Sequence, residues 1–251
     1  MRKTRILICG ISGKMGKNLV EIIEGDENAE VVCGVDLKPV EDKKIATYPS
    51  FNEVTTPCDV IIDFSSPAVL KDELKFAEAK KIPVVLAATG YTESDLNAIK
   101  EAAKKTAIFK TANFSLGVNL LVSLAKKAAA MLENFDVEII EKHHNQKVDA
   151  PSGTALMFAD AINSELGGDR QYLNGRCGKV GKRGSEIGIH AVRGGTIVGE
   201  HEIMFAGEDE VITLSHSAQS KKVFAAGALK AAKWICGKSA GLYDMNNIFN
   251  L

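Results

Sequence analysis

Residues 4–24 read TRILICGISGKMGKNLVEIIE and decide the fold of the N-terminal half. The apolar run Thr4–Cys9 predicts a strand, and the amphipathic stretch Met15–Glu24 predicts a helix. The turn between them carries three glycines, Gly10, Gly13 and Gly16. Glycines at such a turn let backbone N–H groups approach a pyrophosphate, whose charge the helix N-terminus also stabilises. We therefore predict a dinucleotide-binding turn, with an ordinary tight strand-to-helix turn as the alternative.

Strands and helices continue to alternate through the first 110 residues. Further strands are predicted at Glu30–Val35, Val60–Phe64, Val84–Ala87 and Ala107–Phe109. Helical spacing follows Pro67 in LKDELKFAEAKK and recurs at 93–104. This alternation is typical of a parallel sheet with helices on both faces. The predicted fold class is α/β, with a Rossmann-type doubly wound parallel sheet.

The second half has a different rhythm. It predicts a helix at Asn119–Met131, a strand in DVEIIEKHH, a helix beginning near Gly153, and strands at Glu186–Arg193 and Glu210–His216. The segment between the last two strands, RGGTIVGEHEIMFAGED, is interpreted as turn-rich. Helices followed by strands that look antiparallel predict a second, α+β domain. The Ala-rich helix Lys222–Trp234 is expected to pack back on the first domain.

Composition excludes several classes of protein. The chain has 251 residues, and its 32 acidic and 31 basic residues give no overall field of the kind that binds nucleic acid or a membrane surface. We find no signal-peptide pattern and no apolar run of about 18 residues, so we expect a cytoplasmic protein with no membrane partner. The five cysteines and five histidines lack metal-ligand spacing, so we predict reduced thiols and no metal.

The end of the second predicted strand offers a contact for the cofactor ribose. Asp36 lies twenty residues past Gly16, where an acidic side chain accepts hydrogen bonds from ribose hydroxyls. Asp36 favours NADH, whereas Lys38 is placed to pair with the 2′-phosphate of NADPH. We expect both cofactors to be used, with a preference for NADH.

Two later segments end strands at the same edge of the predicted sheet. They are SSP, which begins at Ser65, and AATGY, which begins at Ala87. Ligands collect at the carboxyl ends of parallel strands, so these segments are expected to line the ribose and nicotinamide. Plain turns are the alternative.

The densest polar cluster is EKHHNQKVDAPSGTA at 141–155. It combines His143, His144 and Lys147 with a proline that begins a predicted helix at Pro151, where first-turn N–H groups have no partner within the helix. These groups together describe a receptor for a carboxylate with a histidine to transfer a proton. Adjacent histidines on a strand point to opposite sides, which argues against both binding one metal. A surface loop with a capped helix is the alternative.

The same segment resembles the signature of the 4-hydroxy-tetrahydrodipicolinate reductase family, E-x-H-H-x-x-K-x-D-x-P-S-G-T-A. The similarity extends to GISGKMG, DVIIDFSSP, AATGY, ANFSLGVN, EIGIHAVRGGTIVGEHEIMF and FAAGALKAAKW. It implies a dinucleotide-binding domain at 1–113 and 221–251, and a substrate-binding and tetramerisation domain at 114–220. It also implies NADH- or NADPH-dependent reduction of a cyclic dicarboxylate by a homotetramer in lysine and diaminopimelate biosynthesis.

By position, the resemblance implies that His143 is the general acid/base and that Lys147 is the cation beside it. The implied substrate contacts are His144, Lys147, Ser152, Gly153 and Thr154. The implied cofactor contacts are Gly10, Ser12, Gly13, Lys14, Met15, Gly16, Asp36, Leu37, Lys38, Ser65, Ala87, Ala88, Thr89, Asn113 and Phe114.

Three positions depart from the family pattern. Ala87-Ala88 replaces the usual Gly-Thr, and Leu37 replaces an arginine that is frequent in members preferring NADPH. Lys221 replaces an arginine and loses its bidentate fork. Two other functions are the alternatives. A regulator that binds NAD(H) without catalysis needs only the first 110 residues and does not account for the ionisable cluster at 141–155. A different dehydrogenase on the same scaffold would act on an aldehyde or an amino acid; an aldehyde substrate requires a nucleophilic cysteine in a polar loop, and only Cys177 is placed for that role.

Overall fold

The computed structural model of the protein describes residues 2–38 and 45–249. These residues form two compact units, each built on its own sheet. The first unit comprises the residues up to Ser115 and those from Lys221 onward, and the second comprises Leu116–Ser220. Within the described residues, no helix is long and apolar enough to cross a membrane.

The first unit contains a seven-stranded sheet in which every strand pair is parallel. Its strands are β1 (Thr4–Cys9), β2 (Ala29–Val35), β3 (Ala46–Tyr48), β4 (Val60–Asp63), β5 (Val84–Leu86), β6 (Ala107–Lys110) and β12 (Gly241–Tyr243). Their order is β12-β6-β5-β4-β1-β2-β3. Because all strands run the same way, the segments that follow β1, β2, β4, β5 and β6 meet at one edge of the sheet.

Helices flank both faces of this sheet. They are α1 (Lys14–Glu24), α2 (Leu70–Lys80), α3 (Glu93–Ala103), α6 (Lys222–Ile235) and the short α7 (Met245–Phe249), with 3-10 turns at Phe51–Glu53 and Pro67–Val69. On one face, α2 and α3 share an apolar cluster with strand residues such as Leu7 and Ile61. Helix α1 contacts α6, which packs on β4, β5 and β6. Both faces are therefore buried, which explains the nearly continuous apolar strands.

The second unit has a five-stranded mixed sheet in the order β11-β10-β7-β9-β8. Its strands are β7 (Asp136–His143), β8 (Tyr172–Asn174), β9 (Ile187–Arg193), β10 (Glu200–Ala206) and β11 (Val211–Ser217), and its helices are α4 (Leu116–Met131) and α5 (Gly153–Glu165). Both helices pack on the same apolar cluster, which includes Ile139 of β7, Ile189 of β9 and Phe205 of β10.

The predicted fold class is confirmed: a Rossmann-type parallel sheet and a second domain of helices on a sheet. Two details of the second domain were wrong. Residues within the segment interpreted as turn-rich form β10, whose alternating burial places Ile203 and Phe205 in the core. The strands are also not all antiparallel, because β7 pairs parallel to β9, and β8 pairs parallel to β9.

Candidate active site

The turn between β1 and α1 has space only for glycine at its closest point. A Cβ on Gly16 would lie 2.3 Å from the carbonyl oxygen of Gly10. Gly10 itself has φ +79°, a backbone conformation that residues other than glycine rarely adopt. The first turn of α1 thus packs directly on the backbone that leaves β1, and the turn presents backbone rather than side chains to a ligand.

Asp36 is tied to this turn. Its carboxylate accepts hydrogen bonds from the backbone N–H of Ser12 at 3.0 Å and from that of Lys38 at 3.1 Å. The Ser12 hydroxyl donates to the carbonyl oxygen of Lys38 at 2.7 Å. The end of β2 and the glycine turn are therefore held in one fixed arrangement.

A cavity of about 490 Å³ opens beside the turn. Five predicted cofactor residues line it, namely Gly10, Gly13, Asp36, Leu37 and Ser65. Ser66, from the predicted SSP segment, also lines it. Residues that the sequence did not indicate complete the wall: Cys9, Val35, Pro49, Ser50, Phe51, Phe64, Ala68, Val69 and Asp72. Leu37 is 83% exposed and offers an apolar side chain at the mouth of the cavity. Ser12 and Lys38 lie in the loops after β1 and β2, and Lys14, Met15 and Gly16 lie in the first turn of α1; none of these five residues lines the cavity.

The segments after β4, β5 and β6 are the other predicted cofactor walls. Ser65 lies against the turn, since a Cβ on Gly10 would come within 3.1 Å of it. The Ala87 N–H donates to the carbonyl oxygen of Asp63 at 2.8 Å, while Ala88 is partly exposed and Thr89 is exposed. Ala87, Ala88 and Thr89 do not line the cavity.

The segment after β6 is fixed by its own contacts. The side-chain oxygen of Asn113 accepts the Ser115 N–H at 2.8 Å. Phe114 is buried, with its ring centroid 6.2 Å from that of Phe64. Phe114 thus packs in the interior of the first unit.

Two buried carboxyl groups lie behind Ser65. Asp63 holds the Ser65 backbone N–H at 2.7 Å. Glu73 is fully buried, and neither of its oxygens has a hydrogen-bond partner among the described residues. Burial raises the pKa of both groups, and the nearby Asp63 raises that of Glu73 further. Sequence reasoning missed Glu73, although it lies three residues after Leu70 on the buried face of α2.

In the second unit, strand alternation brings polar groups onto the core face of β7. Val137, Ile139, Glu141 and His143 are all buried on that face. The two polar members lie at the carboxyl end of the strand. Nδ1 of His143 lies 2.6 Å from Oε2 of Glu141, so the histidine is anchored from the protein interior.

The N-terminus of α5 follows β7 after a short loop. Ser152 is the N-cap residue, and its hydroxyl oxygen accepts the Ala155 N–H at 3.2 Å. The helix begins at Gly153 and Thr154, and a Cβ on Gly153 would meet no atom within 4 Å. Pro151 precedes the cap and follows a cis peptide bond, so its expected place in the first helical turn was wrong.

Lys147 and His144 share one tight turn, in which the Lys147 N–H donates to the His144 carbonyl oxygen at 3.1 Å. Nζ of Lys147 lies 2.9 Å from Oδ1 of Asp149. Hydrogen bonding to Lys147 lowers the pKa of Asp149, whose carboxylate is half exposed. The ammonium group is thus held by a partner that a carboxylate ligand can replace.

Sequence reasoning missed two residues of this cluster. Arg193, at the end of β9, places both terminal nitrogens 2.7 Å from the Glu141 carboxylate. Nε2 of His201 on β10 lies 3.2 Å from the Ser152 hydroxyl, and its ring meets that of His143 edge-on at 5.2 Å. Burial, followed by the charge of His143, lowers the pKa of His201 to about 4, so His201 is neutral at pH 7.

Comparison with known families accounts for both units. A family model described as "Dihydrodipicolinate reductase, N-terminus" matches residues 4–114, and one described as "Dihydrodipicolinate reductase, C-terminus" matches residues 117–249. The chain belongs to the dihydrodipicolinate reductase family. The resemblance drawn from the motif at 141–155 is thereby confirmed.

Relatives within this family match along nearly their whole length. A protein named 4-hydroxy-tetrahydrodipicolinate reductase from Caldanaerobacter subterraneus subsp. tengcongensis is 53% identical over 97% of each chain. One of the same name from Clostridium tetani is 44% identical over 98% of this chain and 97% of its own.

Solved structures agree with this placement. A dipicolinate-bound dihydrodipicolinate reductase from Paenisporosarcina sp. TG-14 is 28% identical, covers 98% of this chain and 99% of its own, and superposes with a TM-score of 0.83. A myo-inositol dehydrogenase from Corynebacterium glutamicum is 17% identical over 91% and 86%, with a TM-score of 0.57, and shares the fold alone.

Proposed function

We propose that this member of the dihydrodipicolinate reductase family reduces 4-hydroxy-tetrahydrodipicolinate to tetrahydrodipicolinate with NADH or NADPH, in lysine and diaminopimelate biosynthesis. One observation carries the proposal: an anchored histidine, a lysine held by a replaceable partner and the N-terminus of α5 lie within a single twelve-residue span, 143–154. A doubly charged cyclic substrate needs this combination of cation, helix amides and proton donor.

The residues present in the first unit fit a dinucleotide. Gly16 lets the first turn of α1 pack on the backbone of Gly10, whose φ is +79°, and the turn borders a cavity of about 490 Å³. Asp36 is placed to accept from a ribose hydroxyl, and Ser65 to line the far wall. The remaining cofactor contacts predicted from the family pattern, Ala87, Ala88, Thr89, Asn113 and Phe114, are part of the proposal.

Both cofactors are proposed, with NADH preferred. The Asp36 carboxylate repels a 2′-phosphate, and its neighbour Leu37 supplies no positive charge. Lys38 is the nearest cation in the sequence, and its backbone is already bonded to Asp36 and Ser12. A lysine gives a point charge without a bidentate fork, so we expect modest rather than abolished use of NADPH.

A bound nicotinamide dinucleotide supplies the hydride in this reaction. In the overall reaction the 4-hydroxyl of the substrate leaves as water, and one hydride and one proton are consumed. His143 donates the proton, and Lys147 binds one substrate carboxylate in place of Asp149. The head of α5 at Ser152, Gly153 and Thr154 binds a carboxylate through its amides and the helix dipole. His144 contacts the substrate from the adjoining turn.

The proposal extends to assembly and location. We assign dinucleotide binding to the first unit, and substrate binding and tetramerisation to the second. The homotetramer is what the family resemblance implies, and we assign its contacts to the sheet face opposite α4 and α5, where Ile140 and Lys142 of β7 are half-buried. We place the reaction in the cytoplasm, where the buried thiols Cys9, Cys33 and Cys58 stay reduced.

The test is oxidation of NADH with the substrate generated in situ, against a control without substrate. We expect turnover by the wild-type protein and competitive inhibition by dipicolinate. The His143→Ala variant should lose turnover by about 100-fold or more while keeping its affinity for NADH. Absence of substrate-dependent oxidation, or binding of NADH without any binding of dipicolinate, would refute the proposal.

A further inference from the structure

We propose that Glu141 is the positioning residue of this site, fixing His143 with a proton on Nδ1 so that Nε2 is the nitrogen that exchanges a proton with the substrate. The inference rests on the proposed function and adds a residue to it. It starts from the Glu141 carboxylate, which contacts the histidine, the N-terminus of α5 and Arg193 of β9 together.

Four donors surround this carboxylate. Oε2 is 2.6 Å from Nδ1 of His143 and 2.7 Å from Nη1 of Arg193. Oε1 accepts from the Ser152 backbone N–H at 2.9 Å and from Nη2 of Arg193 at 2.7 Å. The side chain of Glu141 is completely buried. Its hydrogen-bonding capacity is thus filled by donors that are supplied from three separate segments.

This arrangement requires an ionised Glu141. Burial alone would raise the pKa of Glu141, but the hydrogen bonds from Arg193, His143 and Ser152 outweigh it and hold the pKa below its usual value. An ionised carboxylate can only accept hydrogen bonds. Nδ1 of His143 must therefore carry the proton, whether the ring is neutral or charged, and this assigns Nε2 as the reactive nitrogen.

The space before Nε2 supports the same assignment. A Cβ on Gly199 would lie 3.1 Å from Nε2 of His143, closer than side chains normally pack. Gly199 does not need a positive φ, so it is the missing side chain, not the backbone conformation, that matters here. The glycine thus leaves one side of Nε2 uncrowded.

Glu141 also sets the distance between the proton donor and the substrate receptor. One of its oxygens holds the ring of His143, and the other holds the backbone of Ser152, the N-cap of α5. Rotation of the Glu141 carboxylate would move both the ring of His143 and the backbone of Ser152. A ring bound at Gly153 and Thr154 is therefore presented to Nε2 at a distance that Glu141 determines.

Other ionisable groups surround the pair and determine the charge that His143 meets. His201 faces its ring from β10, Arg193 approaches from β9, and Lys147 and Asp149 lie in the loop after β7. His216 on β11 is the next histidine beyond His201. His201 is neutral at pH 7 and the cations flank Glu141, so Glu141 is the anion in direct contact with the ring.

The alternative is that Glu141 only neutralises Arg193 as a structural ion pair. The two views differ in what they predict for the histidine. A positioning residue sets the tautomer and the pH dependence of turnover, whereas a structural ion pair affects stability and leaves both unchanged.

The first experiment uses the wild-type protein labelled with ¹⁵N at histidine. NMR spectra recorded where the ring of His143 is neutral should show Nδ1 protonated and Nε2 unprotonated. The opposite tautomer would overturn the proposal. This measurement needs neither a variant nor turnover, so the opposite tautomer would overturn the proposal whether or not the proposed function holds.

The second experiment compares Glu141→Gln with Glu141→Asp and with a control, Glu210→Gln, which removes an exposed carboxylate directly before β11 in the same unit. A glutamine amide can donate to Nδ1 and so favours the wrong tautomer. We expect Glu141→Gln to lower kcat by about 100-fold or more, with a smaller rise in KM, and Glu141→Asp to recover part of the loss.

The pH profile of kcat distinguishes a positioning role of Glu141 from a purely structural one. Loss of the adjacent anion should move the pH at which kcat falls by about one unit toward acid in Glu141→Gln. The control should keep the wild-type kcat and profile. If Glu141→Gln keeps the wild-type kcat and profile, or if Glu141→Gln and Arg193→Met lose kcat equally while both retain the Nδ1–H tautomer, Glu141 is a structural partner only and the proposal is wrong.

Discussion

A Cβ on Gly16 would lie 2.3 Å from the carbonyl oxygen of Gly10, well inside van der Waals contact. Helix α1 therefore cannot keep its position against β1 with any larger residue at 16. We expect Gly16→Ala to lower the melting temperature by several degrees and to weaken NADH binding at least tenfold, because the turn must open. Gly25→Ala is the matched control: at the other end of α1, a Cβ there would make an ordinary contact of 3.7 Å with Ile22. Equal effects of the two substitutions on NADH affinity would contradict the proposed role of the turn.

Cofactor preference should follow the residues after β2. Asp36→Ala removes a charged acceptor for a ribose hydroxyl, a contact of about 1.5–3 kcal/mol, so kcat/KM with NADH should fall roughly 10- to 150-fold. Use of NADPH should fall less, because a repulsive charge is also removed. Lys38→Ala should lower kcat/KM with NADPH by up to about 5-fold and leave NADH unaffected. Steady-state kinetics with both cofactors measures these ratios, with Lys75→Ala on α2 as the control; a parallel loss for both cofactors in Asp36→Ala would argue for a purely structural carboxylate.

Most elements of the fold could be predicted from sequence because, in long segments, the pattern of apolar residues indicates which residues are buried. The helix that ends at Glu24 is an example, since its apolar residues recur at helical spacing, and the strand Thr4–Cys9 is indicated by its continuous apolar run. Of the three-residue strands, β5 is apolar throughout and was predicted, whereas β3 and β12 have no buried residue and gave no such signal. Strand β10 was missed because glycines at 199 and 207 flank a run in which charged residues alternate with buried ones.

In the second unit, the candidate site was predictable only where its residues are close in sequence. His143, Lys147 and Ser152 lie within ten residues, and the motif that contains them is recognisable as a unit. Arg193 and His201 reach the same cluster from strands about fifty residues away, so nothing in their own surroundings indicates it. Whether Arg193 and His201 belong to the cluster depends on the order and direction of the strands, which strand pairing in the folded protein determines.

Removal of the Lys147 ammonium should weaken the binding of a dicarboxylate. A hydrogen bond to a charged group contributes about 1.5–3 kcal/mol, so Lys147→Ala should lower dipicolinate affinity and kcat/KM for substrate roughly 10- to 150-fold. Asp149→Asn should have the opposite effect on dipicolinate affinity, because Asp149 occupies the ammonium at 2.9 Å. Isothermal titration calorimetry measures both, with Lys127→Ala, an exposed lysine of α4, as the control. Unchanged dipicolinate affinity in Lys147→Ala would place the carboxylate elsewhere.

The buried Glu73 should make the stability of the first unit depend on pH. Burial, and then the nearby Asp63, hold the pKa of Glu73 well above its ordinary value of about 4.3, so the folded state retains a proton that the unfolded chain releases. The contribution of Glu73 to the free energy of unfolding is fully present below about pH 4.3. It is lost as pH rises toward the pKa of Glu73 in the folded state, by up to about 1.4 kcal/mol per pH unit. Glu73→Gln removes the titration, so its melting temperature should exceed that of the wild type by an amount that grows from pH 5 to pH 8. The exposed Glu27→Gln should show no such trend, and a constant difference between Glu73→Gln and the wild type across this range would mean that Glu73 ionises normally in the fold.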